Sequence, residues 1–262
     1  MLTDTHCHLA ATEFAVDRDA VLAAAKGVGV ASIVVPAVDL ASFAAVRDCC
    51  ARYPGCVPAY GIHPLYLQHA GQADLDCLRE WLARAADAAQ PVVAVGEIGL
   101  DFHMGEADIE RQEYFFVEQL KIARDADLPV LLHVRRAVDQ VLRNLRRIRV
   151  RGGIAHAFNG SRQQAEAFIG LGFKLGFGGA ATYRGSKRIR ELAASLPLDA
   201  VVLETDAPDM PPAWLAGGRN TPAELARINE LLAELRGIDA SQLARATSTN
   251  ALAVLPQLLS AD

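Results

Sequence analysis

The chain has 262 residues, of which 52% are hydrophobic, and a formal net charge of -5 at pH 7. This length suits one large α/β barrel or two ordinary domains, and the longest apolar stretches, such as residues 28–38, fall short of the roughly 18 residues that span a bilayer. The net negative charge gives no general attraction to polyanions, so a phosphate-bearing substrate would need a local positive site. Without an export signal, and without C-x-x-C spacing among the five cysteines, we expect a cytoplasmic protein with reduced thiols.

Strands and helices are predicted to alternate along the chain. Short apolar runs rich in β-branched residues predict eight strands, at residues 2–6, 32–38, 57–63, 92–99, 129–134, 153–158, 174–179 and 200–206. Helical periodicity lies between them, over residues 17–27, 75–88, 112–126, 137–148 and 163–171. Capping residues mark helix starts at Ser161, Thr221 and Asp239, the last of which opens a helix near 239–255. The alternation predicts an α/β protein with a single (β/α)8 TIM barrel over residues 1–262 and an extra C-terminal helix.

Ionisable side chains collect where the predicted strands end, which is the end of this barrel that carries chemistry. His6 and His8 are two positions apart, and side chains at i and i+2 of a strand share a face. Mixed imidazole and carboxylate ligands suit divalent ions such as zinc, manganese or magnesium, and there are enough ligands for two ions. We expect Glu97 to bridge the ions and Asp206 to activate water. The predicted ligands are His6, His8, Glu97, His133, His156 and Asp206.

Each of these residues also has a plainer interpretation. A lone histidine such as His133 or His156 is more often a hydrogen-bonded core residue than a ligand, and Asp206 precedes Ala-Pro and could cap a helix. Ligation is favoured because the candidates occur together. Behind them, Glu204 and Asp101 are predicted to support the ligands. His63 is open between such support and contact with substrate, and His69 and His103 are expected at the solvent-exposed surface.

Cations that follow the predicted strand ends would ring the mouth of the site. The planar guanidinium of arginine can donate two parallel hydrogen bonds to phosphate oxygens, so Arg135 and Arg219 are predicted to bind substrate phosphate. Asn159 and Ser161, at a capped helix start, could add donors for the same anion. The more conspicuous basic run at 143–152 leads into the opposite face of the barrel. The other cations expected at the mouth are Arg136, Arg162, Arg184, Lys187 and Arg188.

Six motifs in order, DTHCHL, GIHP, VGEIGLDF, LPVLLHVR, GGIAHAFNGS and LETDAP, resemble the TatD family of metal-dependent deoxyribonucleases over nearly the whole chain. The resemblance implies a (β/α)8 barrel, a one- or two-metal centre, and 3'-to-5' exonuclease activity on DNA. By position, it places His6, His8 and Asp206 on one ion, and His133 and His156 on the other, with Glu97 between them. The wider amidohydrolase superfamily often bridges its ions with a carboxylated lysine on strand 4, where this chain has Glu97.

The leading hypothesis is an enzyme that trims the 3' end of DNA, or of RNA, with two divalent metal ions. Hydrolysis of an amide, lactone or aminoacyl ester by the same centre is the alternative, because paired ions also activate carbonyl groups. A third possibility is a barrel with a structural metal, in which the coordination shell would be closed. Departures from the family pattern at Val134, at 157–161 and at 209–218 leave the substrate range open. We expect a monomer with no membrane or protein partner.

Overall fold

Eight short parallel strands are hydrogen-bonded in chain order, from β1 to β8. The backbone N–H of Thr5 donates to the carbonyl of Leu203 at 3.0 Å and so joins the segment after the first strand to the last strand. The predicted (β/α)8 barrel is confirmed. The computed structural model describes residues 1–86, 91–103 and 108–260, and its strands are β1 (Leu2–Asp4), β2 (Val30–Pro36), β3 (Cys56–Tyr60), β4 (Ala94–Asp101), β5 (Val130–Arg135), β6 (Gly153–Ala155), β7 (Phe173–Phe177) and β8 (Val201–Leu203).

Helices alternate with these strands and cover the barrel. The capping box predicted at Ser161 is present, because its side chain accepts from the N–H of Gln164 and the Gln164 side chain accepts in return. Thr221 makes no side-chain cap and precedes a 3-10 turn instead. Of the helix predicted at 75–88, residues 87 and 88 lie outside the described part of the chain. The helices are α1 (Arg18–Gly27), α2 (Leu40–Arg52), α3 (Gln72–Ala86), α4 (Ile109–Asp125), α5 (Val138–Arg147), α6 (Arg162–Gly170), α7 (Lys187–Ser195), α8 (Leu225–Arg236) and α9 (Ala240–Val254).

The C-terminal helix α9 covers one end of the barrel. Its Asn250 side chain donates to the carbonyls of Leu198 and Val201, at the amino end of β8. Val254 and other apolar residues of this helix pack against strand residues that include Val34. The amino ends of the strands are thereby closed, so the carboxyl ends form the open mouth. Within the described residues, no helix is both long and apolar enough to cross a bilayer.

Several strands are shorter at their carboxyl ends than the sequence predicted. β1 ends at Asp4 rather than at residue 6, β8 ends at Leu203 rather than at residue 206, and β3 and β6 also end early. The chain leaves the regular ladder there because backbone groups bond across the mouth instead, with the N–H of Asp206 donating to the carbonyl of His6 at 2.8 Å. The prediction that His6 and His8 project from one strand was wrong, since both lie just beyond it.

Candidate metal centre

The six predicted ligands meet at the mouth of the barrel around Glu97, which is 2% exposed. Its oxygen Oε2 lies 3.1 Å from Nε2 of His6 and 3.5 Å from Nε2 of His8. Oδ1 of Asp206 lies 3.6 Å from each of these two nitrogens. We call His6, His8, Asp206 and Oε2 of Glu97 the Oε2 half of the centre.

The other oxygen of Glu97, Oε1, faces a second set of imidazoles. It lies 2.9 Å from Nδ1 of His133 and 3.0 Å from Nε2 of His156, and these two nitrogens are 3.5 Å apart. Nε2 of His63 is 3.5 Å from the same oxygen. We call these residues the Oε1 half. His63, which the sequence left open between support and substrate contact, therefore lies among the donor atoms themselves.

The spacing and chemistry of these atoms fit divalent metal ions. Ligand atoms bound at about 2.0–2.1 Å to a tetrahedral zinc lie about 3.3 Å apart, and the separations in the two halves run from 2.9 to 3.6 Å. Imidazole and carboxylate are the ligands that borderline first-row ions prefer. Nε2 of His6 is its donor atom toward the centre, 3.1 Å from Oε2 of Glu97, and Nδ1 is buried without a hydrogen-bond partner among the described residues.

Glu97 reaches the centre because β4 is irregular. The register between β4 and β5 shifts next to Glu97, and a bulge of this kind re-aims a side chain. Glycines allow the close approach of the two strands: a Cβ on Gly96 would lie 2.6 Å from the Cβ of Leu131, and one on Gly99 would overlap the carbonyl oxygen of His133. The sequence placed Glu97 near the end of its strand, whereas the structure places it in the middle.

Hydrogen bonds to the carboxylate of Asp4 support the Oε2 half. The buried carboxylate of Asp4 accepts from the hydroxyl of Thr205 at 2.6 Å, from the N–H of Thr205 at 3.0 Å and from the N–H of His6 at 3.3 Å. The two bonds from Thr205 tie the end of β1 to the segment after β8. Asp206 has a φ of +59°, a left-handed conformation that is uncommon outside glycine and that its surroundings must hold in place.

Carboxylates stand behind the imidazoles of the Oε1 half. Nε2 of His133 lies 3.0 Å from Oδ2 of Asp101, and Nδ1 of His156 lies 3.8 Å from Oε1 of Glu204. Gly176 leaves the space that Glu204 occupies, because a Cβ there would overlap the carboxylate. Both residues predicted to support ligands therefore lie directly behind a predicted ligand.

The centre combines strong burial with closely spaced charges. Burial opposes ionisation of Glu97, but attraction to His156, His6 and His63 lowers the pKa of Glu97 well below its ordinary value. Burial, with repulsion from His156, lowers the pKa of His6 to about 4. For His156 itself, attraction to Glu97 and Asp206 outweighs burial and raises the pKa to about 10. Because imidazole ligands must be deprotonated, metal binding would displace protons from this centre.

The residues predicted to bind substrate lie around the mouth but do not converge. The side chain of Arg135 is 52% exposed, with Nη1 3.9 Å from Oδ2 of Asp101. Asn159 accepts a hydrogen bond from Arg188 at 2.7 Å, and Ser161 caps α6. Their contact with substrate stays a prediction.

Arg219 is engaged with the loop after β1. Its guanidinium donates to the carboxylate of Asp17 at 2.6 and 3.0 Å and to the carbonyl of Glu13 at 2.6 Å. It also lies 4.9 Å above the ring of Phe14. These contacts anchor the loop, so any role for Arg219 in phosphate binding would require it to leave them.

Sequence reasoning missed two buried glutamines on α4. The side-chain amide of Gln119 accepts from the N–H of Ile62 at 2.7 Å and donates to its carbonyl at 3.0 Å, directly before His63. Gln112 makes the same pair of bonds with Asp101, at 2.8 and 3.0 Å. Their spacing of seven residues puts both on one helix face, but nothing in the sequence reveals which backbone groups they meet.

A cavity of about 440 Å³ opens onto the centre, within the range of about 300–1,000 Å³ that is typical of small-molecule sites. His8, Glu97, His133, His156 and Asp206 form its inner end. Within the described part of the chain, its lining contains no lysine or arginine. The other lining residues are Ala10, Ala11, Thr12, Glu13, Pro36, Val38, Ser42, Ala45, Val46, His63, Leu65, Tyr66, Pro208 and Asp209.

A family model described as "TatD related DNase" matches residues 3–256. The uncharacterized metal-dependent hydrolase YjjV of Escherichia coli K12 is 42% identical over 248 residues, which cover 94% of this chain and 95% of the relative. A crystal structure of YjjV superposes with a TM-score of 0.93 at 41% identity, over 97% of this chain and 98% of the other. The 3'-5' ssDNA/RNA exonuclease TatD of Escherichia coli K12 is 33% identical over 255 residues, covering 94% of this chain and 96% of that protein.

Proposed function

The chain belongs to the TatD-related DNase family, and from this premise we propose that it is a divalent-metal-dependent hydrolase that removes nucleotides from the 3' end of DNA, or of RNA. The metal-dependent hydrolase YjjV, at 42% identity, supports the general chemistry. The exonuclease TatD, at 33% identity, supports a nucleic acid substrate. A monomeric state and a cytoplasmic location stay predictions from the sequence.

One observation carries the proposal: the two oxygens of Glu97 face different imidazole nitrogens, with Oε2 toward His6 and His8 and Oε1 toward His133 and His156. His6, His8 and Asp206 would hold one ion and His133 and His156 the other, with Glu97 shared. When bound, a pair of divalent ions yields a nucleophile from water at neutral pH and neutralises charge on the phosphoryl oxygens. Paired ions are a recurrent solution in nucleases and phosphatases.

Asp206 is the proposed base. Its side chain is 13% exposed and lines the cavity, whereas Glu97 is almost completely enclosed. Its carboxylate takes a proton from the attacking water as the water oxygen bonds to phosphorus. The bond from phosphorus to the 3' oxygen of the preceding nucleotide breaks, and that oxygen takes up a proton. The products are one 5'-mononucleotide and a strand with a new 3' hydroxyl.

Arg135 is the proposed contact to the strand. Its guanidinium is half exposed on the β5 side of the mouth and is 3.9 Å from its nearest carboxylate, so its donors are available to phosphate oxygens. A strand crossing this side would be positioned by that contact while the centre acts on its terminal phosphodiester.

The direct test is an assay with single-stranded DNA labelled at its 5' end. Protein stripped with EDTA should be inactive, and restoring magnesium, manganese or zinc one at a time should produce stepwise shortening from the 3' end. The Glu97→Ala variant should remain inactive with each ion. Metal-loaded protein that releases no nucleotides yet hydrolyses an ester or amide would contradict the proposal.

A second candidate is hydrolysis of an amide, lactone or aminoacyl ester. It is favoured by the absence of lysine and arginine from the described cavity lining, since an uncharged substrate needs no cation there. The Arg135→Gln change separates the two candidates. Loss of its charge should weaken cleavage of a phosphodiester far more than cleavage of a neutral amide.

A further inference from the structure

The two sides of the barrel mouth differ in charge. On the side of β5 to β7, Arg135, Arg136, Arg184, Lys187 and Arg188 are exposed at or beyond the strand ends. The cavity described above lies on the other side, between the loops that follow β1, β2, β3 and β8. Its charged residues are carboxylates or histidines, among the residues that the structure describes. A polyanion therefore meets attraction on one side of the centre and repulsion on the other.

The cavity has walls suited to an uncharged group with an aromatic face. Pro36, Val38 and Val46 line it from β2 and α2. Tyr66 is 51% exposed at its edge and packs against the ring of His63 in an edge-to-face contact, with ring centroids 5.9 Å apart. An exposed aromatic ring of this kind can stack on any base.

Glu13 and Asp209 are exposed carboxylates that line this cavity outside the metal centre. The loop that carries Glu13 is fixed by Arg18, which donates to the carbonyls of Leu9, Ala10 and Ala11. Arg219 fixes the same loop through the carbonyl of Glu13. Arg18 and Arg219 therefore hold the backbone of this loop, and neither lines the cavity.

The loop that carries Asp209 is fixed in a similar way. The buried side chain of Asn220 donates to the carbonyl of Thr205 at 2.8 Å and to that of Asp209 at 2.9 Å. Both carboxylates are thus presented by ordered loops, and preorganised acceptors of this kind favour hydroxyl donors over anions.

We propose that this cavity, the terminal pocket, binds the 3'-terminal nucleoside of the substrate, and that Glu13 and Asp209 select a free 3' hydroxyl over a 3' phosphate. The inference rests on the proposed function and deepens it. The terminal hydroxyl donates to a carboxylate, the base stacks on Tyr66, and the rest of the strand leaves over the cationic side. A 3' phosphate brings a dianion against Glu13 and Asp209, in the part of the cavity outside the metal centre, where the described lining has no lysine or arginine.

The test compares two single-stranded oligonucleotides that differ only at the 3' end, one with a hydroxyl and one with a phosphate. Metal-loaded wild-type enzyme should remove the terminal nucleotide from the hydroxyl form with a kcat/KM higher by roughly tenfold or more, because like charges brought together discriminate strongly between ligands. The double variant Glu13→Gln, Asp209→Asn should bring this ratio close to one. The control Glu230→Gln, an exposed carboxylate on α8, should leave it unchanged.

Two further results decide between failure of the pocket and failure of the proposed function. Equal cleavage of both ends by the wild type, or a ratio unchanged in the double variant, would overturn the pocket assignment while leaving the nuclease intact. No cleavage of either end would overturn both. Fluorescence anisotropy with EDTA-treated protein measures binding without cleavage. It should show tighter binding of the hydroxyl form than of the phosphate form.

Tyr66 gives an independent check. The Tyr66→Ala change should raise KM for the hydroxyl form by roughly tenfold through loss of base stacking, with a smaller change in kcat. Tyr66→Phe keeps the ring and should raise KM far less than Tyr66→Ala does. An unchanged KM in Tyr66→Ala would show that the terminal base does not lie in the terminal pocket.

Discussion

The two halves of the candidate metal centre are held by different means. In the Oε2 half, the carbonyl of His6 accepts from the N–H of Asp206, and the carboxylate of Asp4 accepts from the N–H groups of His6 and Thr205. These bonds to backbone groups also join the first and last strands. In the Oε1 half, Oδ2 of Asp101 lies 3.0 Å from Nε2 of His133, within hydrogen-bond distance, whereas Oε1 of Glu204 lies 3.8 Å from Nδ1 of His156, beyond it. The buried carboxylate of the Oε2 half, Asp4, therefore bonds to groups that close the barrel, whereas that of the Oε1 half, Asp101, bonds to the ring of a predicted ligand.

This difference predicts different consequences of damage. Loss of a hydrogen bond behind the Oε2 half should weaken the fold, because the same bonds hold strands together. Loss of a carboxylate behind the Oε1 half should weaken metal binding, because such partners fix the tautomer and raise the basicity of a ligating histidine. Glu97 contributes one carboxylate oxygen to each half and so links the two halves.

The largest effect is expected from Glu97→Gln, which removes the one charge that both halves share. We expect loss of metal from both halves, measured by elemental analysis of dialysed protein, and a fall in nuclease kcat/KM of more than about a thousandfold. Glu230→Gln makes the same chemical change on exposed α8 and should keep full metal content. Retention of two tightly bound ions by Glu97→Gln would show that Glu97 is not their shared ligand.

A smaller effect, confined to metal binding by the Oε1 half, is expected from Asp101→Asn. An asparagine amide can donate to Nε2 of His133, which would place the proton on Nδ1, the nitrogen that faces Glu97. Metal affinity of the Oε1 half should fall by about 10–100-fold, while that of the Oε2 half stays close to the wild-type value. Competition titration with a chelator, resolved into two binding steps, measures both. An equal loss of metal affinity in both binding steps would show that Asp101 does not support the Oε1 half alone.

Much of this arrangement could be predicted from the sequence. A parallel barrel brings the carboxyl ends of all its strands to one mouth, so residues as far apart as His6, His133 and Asp206 are expected to meet once the order of strands is recognised. The structure confirms the barrel and brings these side chains within a few ångströms of Glu97. The order of the strands was sufficient for this prediction, although several strands end earlier than predicted.

Other features depend on contacts that no local pattern reveals. The central position of Glu97 needs the bulge that Gly96 and Gly99 permit, and a glycine pattern alone does not specify a bulge. Arg219 looked like a phosphate ligand because it follows the last strand, but its partner Asp17 lies far away in the chain. The buried bond of Gln119 to Ile62 likewise joins an α4 side chain to a distant backbone. Each of these features depends on a contact between residues that are far apart in the chain, so the local sequence could not predict it.

Thr205→Val tests the hydrogen bond between Thr205 and Asp4 that supports the Oε2 half, and it should have the smallest effect on metal binding. Valine keeps the shape of threonine but leaves Oδ2 of Asp4 without the hydroxyl that donates to it at 2.6 Å. An unsatisfied buried acceptor costs about 1–3 kcal/mol, so the free energy of unfolding in urea should fall by about that amount in metal-free protein. Metal affinity should fall less than the roughly tenfold minimum expected for loss of a supporting carboxylate.

Thr247→Val is the matched control for this change. The hydroxyl of Thr247 is also buried, but it donates to the carbonyl of Leu243 within α9, which keeps its helical hydrogen bond when the hydroxyl is removed. The free energy of unfolding should therefore fall less in Thr247→Val than in Thr205→Val. If Thr205→Val instead weakened metal binding as much as Asp101→Asn while leaving stability intact, the Oε2 half would also be tuned by local charge. Closure of the barrel would then have no special part in holding His6 and Asp206.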